Sequence, residues 1–467
     1  MKYQMKLPAV PMPVKVPSAV PTVAKPLGKV LIRTHGCKLN QADSDVIARQ
    51  FIEAGYRLVN SVSEADVFVL NTCTVTANAD AKARQALRAA RRANPTAIIV
   101  AAGCYPQRAA QELHELDAVS LVVDNTQKDE LVPRVVALHR SSSSSLALVD
   151  PNPVAPNPVG LEGQNVLPLV AAGTRRSRAM IKIQEGCDQV CAYCIVPKVR
   201  GRERSIPPET LIGEVNRRTE EGFKEVVLTG TQLGTYGFDL PQINLVGLLR
   251  RILAETAVPR IRVSSLQPQE ISAELLRLWE DSRLCPHFHV PLQSGSDSIL
   301  KAMRRRYDTA RFGESVELIR EFVPDPGITT DLIVGFPGEG EAEFRQSREF
   351  AAGIGFSDMH IFPYSRRPGT SAHHFGGQVG AAEKRPRMNQ MLEIASRTSQ
   401  EFRRKQLGHI RPVLWESCRE SGGTRTWSGL TDNYIRVYAV TPRDLRKTIT
   451  PARMTALDGS GVASEAL

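Results

Sequence analysis

The stretch "AMIKIQEGCDQVCAYC", residues 179–194, decides how this chain is read. Its first half is a short apolar run, a strand by pattern. Its second half sets Cys187, Cys191 and Cys194 at the spacing C-x3-C-x2-C. A structural zinc site normally takes four protein ligands and a disulfide takes two cysteines. Three thiolates leave one coordination position open. Thiolates at this density select zinc or an iron–sulfur cluster. A zinc knuckle with a distant fourth ligand is the alternative.

Outward from this stretch the pattern repeats. Strand-like runs "KEVVLTG", "RIRVSS", "HFHV", "TTDLIVGF" and "DMHIFPY" each lead into helical sequence. With the opening strand they make six βα units over residues 176–405. That pattern predicts a partial (β/α)6 barrel resembling part of a TIM barrel, whose chemistry sits at the C-terminal strand ends. A doubly wound open sheet is the competing arrangement. The strand ends offer Thr229, Gly230 and Gln232 in "LTGTQLGTYG", and Ser264 and Ser265 in "VSSLQP". They also offer His289, Gln293 and Ser294 in "HFHVPLQSGSD", and Asp331 and Gly335 in "TTDLIVGFPGE". His289 reads as an orienting hydrogen-bond group rather than a metal ligand.

Upstream, residues 29–140 also alternate strands with helices, which predicts a parallel α/β sheet domain. Three of its runs, "KVLIRTHGC", "ADVFVLNTC" and "TAIIVAAGC", end on Cys37, Cys73 and Cys104. In one parallel sheet those ends share the edge where ligands bind. A second three-thiolate site follows from that placement. Cys285 and Cys418 stand alone and receive no role.

The remainder frames these two units. Residues 1–28 are Pro-rich without the apolar core of a signal peptide, and read as a disordered tail. Residues 141–175 are rich in Ser, Pro, Asn and Gly, and read as a linker. Residues 406–445 read as a small β-barrel, and 446–467 as an irregular tail. No run reaches the roughly 18 apolar residues of a membrane span. A cytoplasmic protein with reduced thiols is expected. Sixty Lys and Arg against 49 Asp and Glu give a net charge of +11, which suits a polyanionic partner or a generally basic surface. Arg84, Arg88, Arg91 and Arg92 fall on one helical stripe, a candidate phosphate contact or a solvated face. "MRRRY" (303–307) and "FRRKQ" (402–406) are further basic candidates. Trp415, Trp427, Asn433, Tyr434 and Arg436 combine aromatics with charge as RNA-binding barrels do, with Trp415 better suited to a core.

C-x3-C-x2-C after a first barrel strand resembles the signature of radical S-adenosylmethionine (SAM) enzymes. The resemblance implies a [4Fe-4S] cluster on Cys187, Cys191 and Cys194, with SAM chelating the open iron. Reductive cleavage of SAM then gives methionine and a 5′-deoxyadenosyl radical. It places Tyr193 against the SAM adenine. It also implies SAM contacts for Thr229, Gly230 and Gln232, although this chain lacks the superfamily's Gly-Gly-Glu run at that strand end. "HGCKLNQADSD", "NTCTVTANADAKARQ" and "AAGCYPQ" resemble the methylthiotransferases, over roughly residues 29–440, and "SGLTDNYIRVYAV" resembles their TRAM module, an RNA-binding, OB-like barrel. That family implies a second [4Fe-4S] cluster on Cys37, Cys73 and Cys104. It implies sulfur insertion into an unactivated C–H bond followed by methylation. It also implies a tRNA anticodon loop as partner, an electron donor such as flavodoxin or ferredoxin, and a sulfur donor. Among its branches the motifs look most like the one acting on threonylcarbamoyladenosine in tRNA. The isopentenyladenosine and ribosomal-protein aspartate branches are the alternatives, and a non-catalytic RNA-binding zinc protein is the rival outside the family.

Overall fold

A computed structural model describes residues 26–144 and 176–467. The predicted tail up to residue 25 and the linker from 145 to 175 lie outside the described residues.

The first domain is a five-stranded, wholly parallel sheet in the order β2-β1-β3-β4-β5. Its strands are β1 (Gly28–His35), β2 (Tyr56–Leu58), β3 (Val67–Thr72), β4 (Ile98–Gly103) and β5 (Leu121–Val123). Helices α1 (Lys38–Glu53), α2 (Ala77–Ala93), α3 (Cys104–His114) and α4 (Leu131–Ser144) cover both faces. Every residue of β3 is buried, as a central parallel strand requires. In α2 an alanine-rich run of high helix propensity is opened by Thr76, whose side chain accepts a bond from the Ala79 N–H. Arg91 and Arg92 sit at its other end, where the helix dipole favours cations. Helix α4 continues to Ser144, four residues into the expected linker, with "SSSS" completing its last turn.

The second domain carries the six expected strands: β6 (Arg178–Lys182), β9 (Glu225–Thr229), β10 (Ile261–Val263), β11 (His287–His289), β12 (Gly327–Val334) and β13 (Asp358–Pro363). A two-residue ladder, β7 (Gln184–Glu185) with β8 (Arg204–Ser205), follows β6. The strands β10-β9-β6 and β11-β12-β13 pair in parallel. A parallel bridge from Ser265 to His289 joins the two sheets into one open half-barrel. Helices α5 (Val196–Arg200), α6 (Pro208–Glu220), α7 (Leu245–Glu255), α8 (Ala273–Leu276), α9 (Asp297–Ala302), α10 (Thr309–Phe322), α11 (Glu341–Ile354) and α12 (Ala381–Lys405) complete the domain. Odd-numbered residues of β6, Ala179 and Ile181, enter the large core under the helices. Met180 faces the opposite way and packs with Val227 against Ala42 of α1. The first domain therefore covers the open face of the half-barrel.

The third unit is a closed five-stranded barrel in the order β14-β15-β16-β18-β17. Its strands are β14 (Ile410–Ser421), β15 (Thr424–Thr431), β16 (Arg436–Val440), β17 (Ile449–Asp458) and β18 (Gly461–Ala466). The expected irregular tail at 446–467 is corrected: it supplies two of the five strands. Ala452, Met454 and Val462 point into the barrel core, but small apolar residues spaced among polar ones leave a weak period-2 signal. The fold class is as expected: a parallel α/β domain, a half-barrel and a small β-barrel. Among the described residues no helix is long and apolar enough to cross a membrane.

Candidate functional site

The first cysteine set is built at one sheet edge. Cys37 is the residue before α1, Cys73 follows β3, and Cys104 opens α3 directly after β4. Strands β1, β3 and β4 are adjacent in the sheet, so the three cysteines share one edge of it. Cys73 lies within electrostatic reach of both Cys37 and Cys104. The chain reaches Cys104 through Gly103, whose φ of 96° lies in the left-handed region. A Cβ there would sit 2.4 Å from Asn71 Oδ1 and 2.7 Å from the Thr72 carbonyl oxygen. Asn71 in turn holds Asn40 of α1 by side-chain hydrogen bonds, which fixes the turn that carries Cys37.

The second set sits just beyond β6. Gly186, with φ 80°, turns the chain into Cys187, and a Cβ there would meet the Arg202 carbonyl oxygen at 1.9 Å. Cys187, Cys191 and Cys194 act on one another electrostatically. Arg305 donates to Cys191 Sγ at 3.4 Å and Tyr193 Oη at 3.5 Å. Burial pushes the thiols of Cys73 and Cys194 up to about 12 and that of Cys187 to about 11. These thiols stay protonated at neutral pH unless a metal takes them, and binding a metal releases their protons.

The two sets are neighbours. Ile195, the residue after Cys194, packs with Val199 on Cys104. Arg200, at the end of the same short helix, donates to Glu185 at 2.6 Å and Asp43 at 3.3 Å. Its Nη2 is buried without a partner in the described structure. Burial would lower the Arg200 guanidinium, but Cys104, Asp43, Cys37 and Glu185 outweigh it and hold it protonated. A buried cationic N–H group beside three thiols fits an anionic iron–sulfur cluster on Cys37, Cys73 and Cys104.

Next to the second set, the ends of β9 and β10 form a polar wall. Gln232 donates to Glu270, and Gln267 donates to Gln232. Gln267 also bonds Gln189, and Arg305 donates to Gln267 at 3.3 Å. The wall thus runs unbroken to Cys191. Burial raises the Glu270 carboxyl to about 7. Ser264 Oγ and Thr231 Oγ1 are buried there with no partner, which leaves polar groups for a bound cofactor of SAM's polarity.

The other expected residues divide. Thr229 and Gly230 lie at the end of β9 beside Gln184, and Ser265 bridges to His289. Asp331 stands inside the half-barrel, not at its mouth, 3.2 Å from His289 and 3.3 Å from His360. Burial would raise its carboxyl, but the bonds to these histidines outweigh that and hold it below the usual range. His289 also meets Thr329 Oγ1 at 3.0 Å, and its ligand atom lies within 4.8 Å of those of Asp331 and His360, a set able to hold a metal ion although the sequence reads His289 as an orienting group. Gln293 is a backbone link, with its N–H on the Asp331 carbonyl oxygen at 2.8 Å. Gly335 sits in a left-handed turn over Lys384, and its N–H bonds Glu339. Ser294 meets Ser347 in the interior. Tyr193 stands edge-on to Phe336, with ring centroids 6.5 Å apart.

Of the expected RNA-contacting residues Trp427 is corrected, while Trp415 takes the core place favoured for it. Trp415 and Trp427 are 0% and 1% exposed and form the barrel core. Asn433 is buried, and Tyr434 stacks on His287 of the half-barrel at 4.1 Å. Arg436 pairs with Glu416. Of the arginine stripe, Arg84 binds Tyr105, and Arg91 binds the Pro95 and Ala97 carbonyl oxygens. Arg88 and Arg92 remain exposed. Sequence reading missed Arg200, Gln267 and Glu270, and took Arg305 for a surface charge. The signals were Arg200 six residues past the last cysteine and Glu270 just past the "VSSLQP" strand end.

Comparison with known proteins fits this geometry. Residues 29–124 match a family described as uncharacterized protein family UPF0004, and residues 181–351 match the radical SAM superfamily. A threonylcarbamoyladenosine tRNA methylthiotransferase MtaB of Aquifex aeolicus is 39% identical over 411 residues, covering 88% of this chain and 96% of that protein. The chain belongs to the radical SAM methylthiotransferase family. An MtaB of Bacillus subtilis is 35% identical, over 88% of this chain and 90% of its own. A tRNA-2-methylthio-N(6)-dimethylallyladenosine synthase of Syntrophotalea carbinolica is 32% identical, over 91% and 96%. In fold, the chain is similar to the radical SAM methyltransferase TsrM of Kitasatospora setae, with a TM-score of 0.52 at 15% identity over 74% of this chain and 76% of that one. Members of this enzyme family bind SAM and [4Fe-4S] clusters.

Proposed function

We propose that this methylthiotransferase acts on N6-threonylcarbamoyladenosine at position 37 of tRNA, adding a methylthio group at C2. The observation that carries the reading is the contact of Ile195 with Cys104, which sets the two cysteine sites side by side. One bound base can then meet both without a large movement. The threonylcarbamoyl substrate is favoured by the Aquifex and Bacillus relatives, threonylcarbamoyladenosine tRNA methylthiotransferases at 39% and 35% identity. The isopentenyl substrate of the Syntrophotalea relative, at 32%, is the second reading.

In this reading Cys187, Cys191 and Cys194 hold one cluster, and Cys37, Cys73 and Cys104 hold the other. When bound, the first cluster with SAM supplies a radical able to take a hydrogen of no useful acidity, which no tuned side-chain base could remove. The protein's part is positioning and exclusion of water. Arg305 holds the Cys191 thiolate and Tyr193, while Gln232, Glu270 and Gln267 wall the cofactor side. Arg200 neutralises the thiolates of the other site. An electron donor of the flavodoxin or ferredoxin class and a sulfur donor complete the reaction.

Nucleoside mass spectrometry of tRNA from a strain lacking this protein tests the reading. Loss of the methylthio-threonylcarbamoyl nucleoside alone is expected. Loss of the methylthio-isopentenyl nucleoside instead, or unchanged tRNA, would refute it.

A further inference from the structure

Strand β13 turns one face to the core under the helices, where Met359 and Ile361 pack. By the two-residue period of a strand, His360 and Phe362 turn to the interior of the half-barrel, as do their register partners Asp331 and Ile333 on β12. Tyr364, next on that face, is buried in an apolar cluster with Ala192, and Tyr193 and Ile333 pack against the same cluster. The interior face of β13 therefore leads to the loop between Cys191 and Cys194.

Residues 363–372, just beyond Phe362, are fastened to both cysteine sites. The Ala372 N–H donates to the Ala192 carbonyl oxygen at 2.8 Å. Arg367 donates to the carbonyl oxygen of Thr74 at 2.6 Å and to its hydroxyl at 2.7 Å, and Thr74 is the residue after Cys73. Ser365 Oγ accepts from the Ala77 N–H at 3.2 Å. Phe362 stands at the root of this double clamp. Its neighbours on the interior face are engaged: Tyr364 is 5% exposed, and His360 is held 3.3 Å from Asp331. The Phe362 ring keeps 45% exposure, with His360 flanking it at 6.4 Å between centroids. A lone exposed apolar side chain is ordinary on an outer surface. An open aromatic ring turned into a half-barrel, at the junction of two cysteine sites, is not accounted for by packing.

We propose that the purine of the target nucleotide, drawn out of the anticodon loop, stacks on Phe362, with His360 at its side. This rests on the reading that nucleotide 37 of tRNA is the substrate, and not on which N6 substituent it carries. Enzymes that work on a base atom take the base out of its stack. An aromatic side chain then replaces the lost stacking partner without making any hydrogen-bond demand. Stacking covers the faces of the ring and leaves its edges free. C2 is an edge atom, so a purine on Phe362 can present it to the cysteine sites.

The test uses the full chain, reconstituted anaerobically, and two anticodon stem-loops that differ only at position 37. One carries the N6-modified adenosine and the other is abasic there. Binding is read by fluorescence anisotropy at fixed salt, and turnover by nucleoside mass spectrometry. The wild type should bind the base-bearing stem-loop about tenfold or more tightly than the abasic one, as one base–aromatic stack implies. Phe362→Ala should bind the two alike, raise KM for the stem-loop and leave KM for SAM. Phe362→Trp should keep the preference. Phe362→Leu, which retains apolar bulk without an aromatic face, should lose it, and it decides the matter if the alanine protein loses iron. Wild-type binding of the two stem-loops within about twofold overturns the inference with no variant needed. So does an iron-replete Phe362→Ala or Phe362→Leu protein that keeps the preference, or a rise in KM for SAM in place of the stem-loop. Failure of the wild type to methylthiolate any adenosine stem-loop refutes instead the substrate reading, and the platform with it. Turnover that does not depend on Phe362 refutes the platform alone.

Discussion

Glu225→Gln should loosen the C-terminal barrel from the half-barrel. Glu225 is fully buried and meets Arg260 at 2.7 Å and Arg262 at 2.9 Å. The same two arginines donate onward to the barrel: Arg260 to the Leu430 and Thr431 carbonyl oxygens, and Arg262 to those of Thr431 and Asp432. Burial alone would raise the Glu225 carboxyl, but Arg262 and Arg260 outweigh it and hold it down at about 2. A carboxyl held at about 2 rather than near 4.5 contributes about 3 kcal/mol at neutral pH. Removing one partner of a buried ion pair costs about 3–5 kcal/mol by a separate route. The expected loss is therefore about 3 kcal/mol at pH 7. Because the folded value is depressed, this contribution is complete above pH 4.5 and fades as the pH falls toward 2. The gap between wild type and variant should narrow over the same window. Urea unfolding followed by tryptophan fluorescence reports it, since Trp415 and Trp427, two of the three tryptophans, lie in the barrel core. A loss below about 1 kcal/mol at pH 7 would show that the arginines do not depend on this carboxylate, and would sink the argument.

Three further outcomes are expected. Gly186→Ala forces a Cβ against the Arg202 carbonyl oxygen at a position with φ 80°, so iron after anaerobic reconstitution should fall from about eight to about four per chain; full iron content would contradict the turn's role. Cys191→Ala should abolish SAM cleavage, whereas Cys73→Ala should leave cleavage and stop methylthiolation; normal methylthiolation by the Cys73 variant would overturn the assignment of the first site. Burial raises Glu270 to about 7, so its contribution is complete below pH 4.5 and is lost as the pH rises through 7. Glu270→Gln should therefore gain thermal stability on the wild type between pH 5 and pH 8, and equal melting shifts at both pH values would refute this.

Much of the architecture was legible because it rests on local pattern. The six half-barrel strands are short runs rich in apolar and β-branched residues, and Cys37, Cys73 and Cys104 each end such a run in the first domain. The barrel's last two strands were not legible, since Ala452, Met454 and Val462 gain their meaning only from closure against β16. Arg305 illustrates the same limit. In sequence it is one of three arginines in "MRRRY", yet Arg304 and Arg306 are exposed and Arg305 turns inward to Cys191. Composition cannot tell which member of a basic run is desolvated. Trp427 failed for the opposite reason, whereas Trp415 is core as the sequence reading favoured. Trp415 and Trp427 have the chemistry of a nucleic-acid surface, but a small barrel needs large side chains to fill its centre.

Helix α1 belongs to the first domain by chain order and to the second by packing. Asp43, in its second turn, is gripped by Lys182 at 2.7 Å, Lys128 at 2.8 Å and Arg200 at 3.3 Å, and Ala42 beside it rests on Met180 and Val227. This works as a caliper whose jaws are the two cysteine sites. Salt screens such buried pairs far less than surface charges. Rising ionic strength should thus release a polyanion from the exterior long before it alters the spacing of the jaws. Grip on the substrate and gauge of the reaction centre are set by different layers of the molecule, and each can be adjusted without disturbing the other.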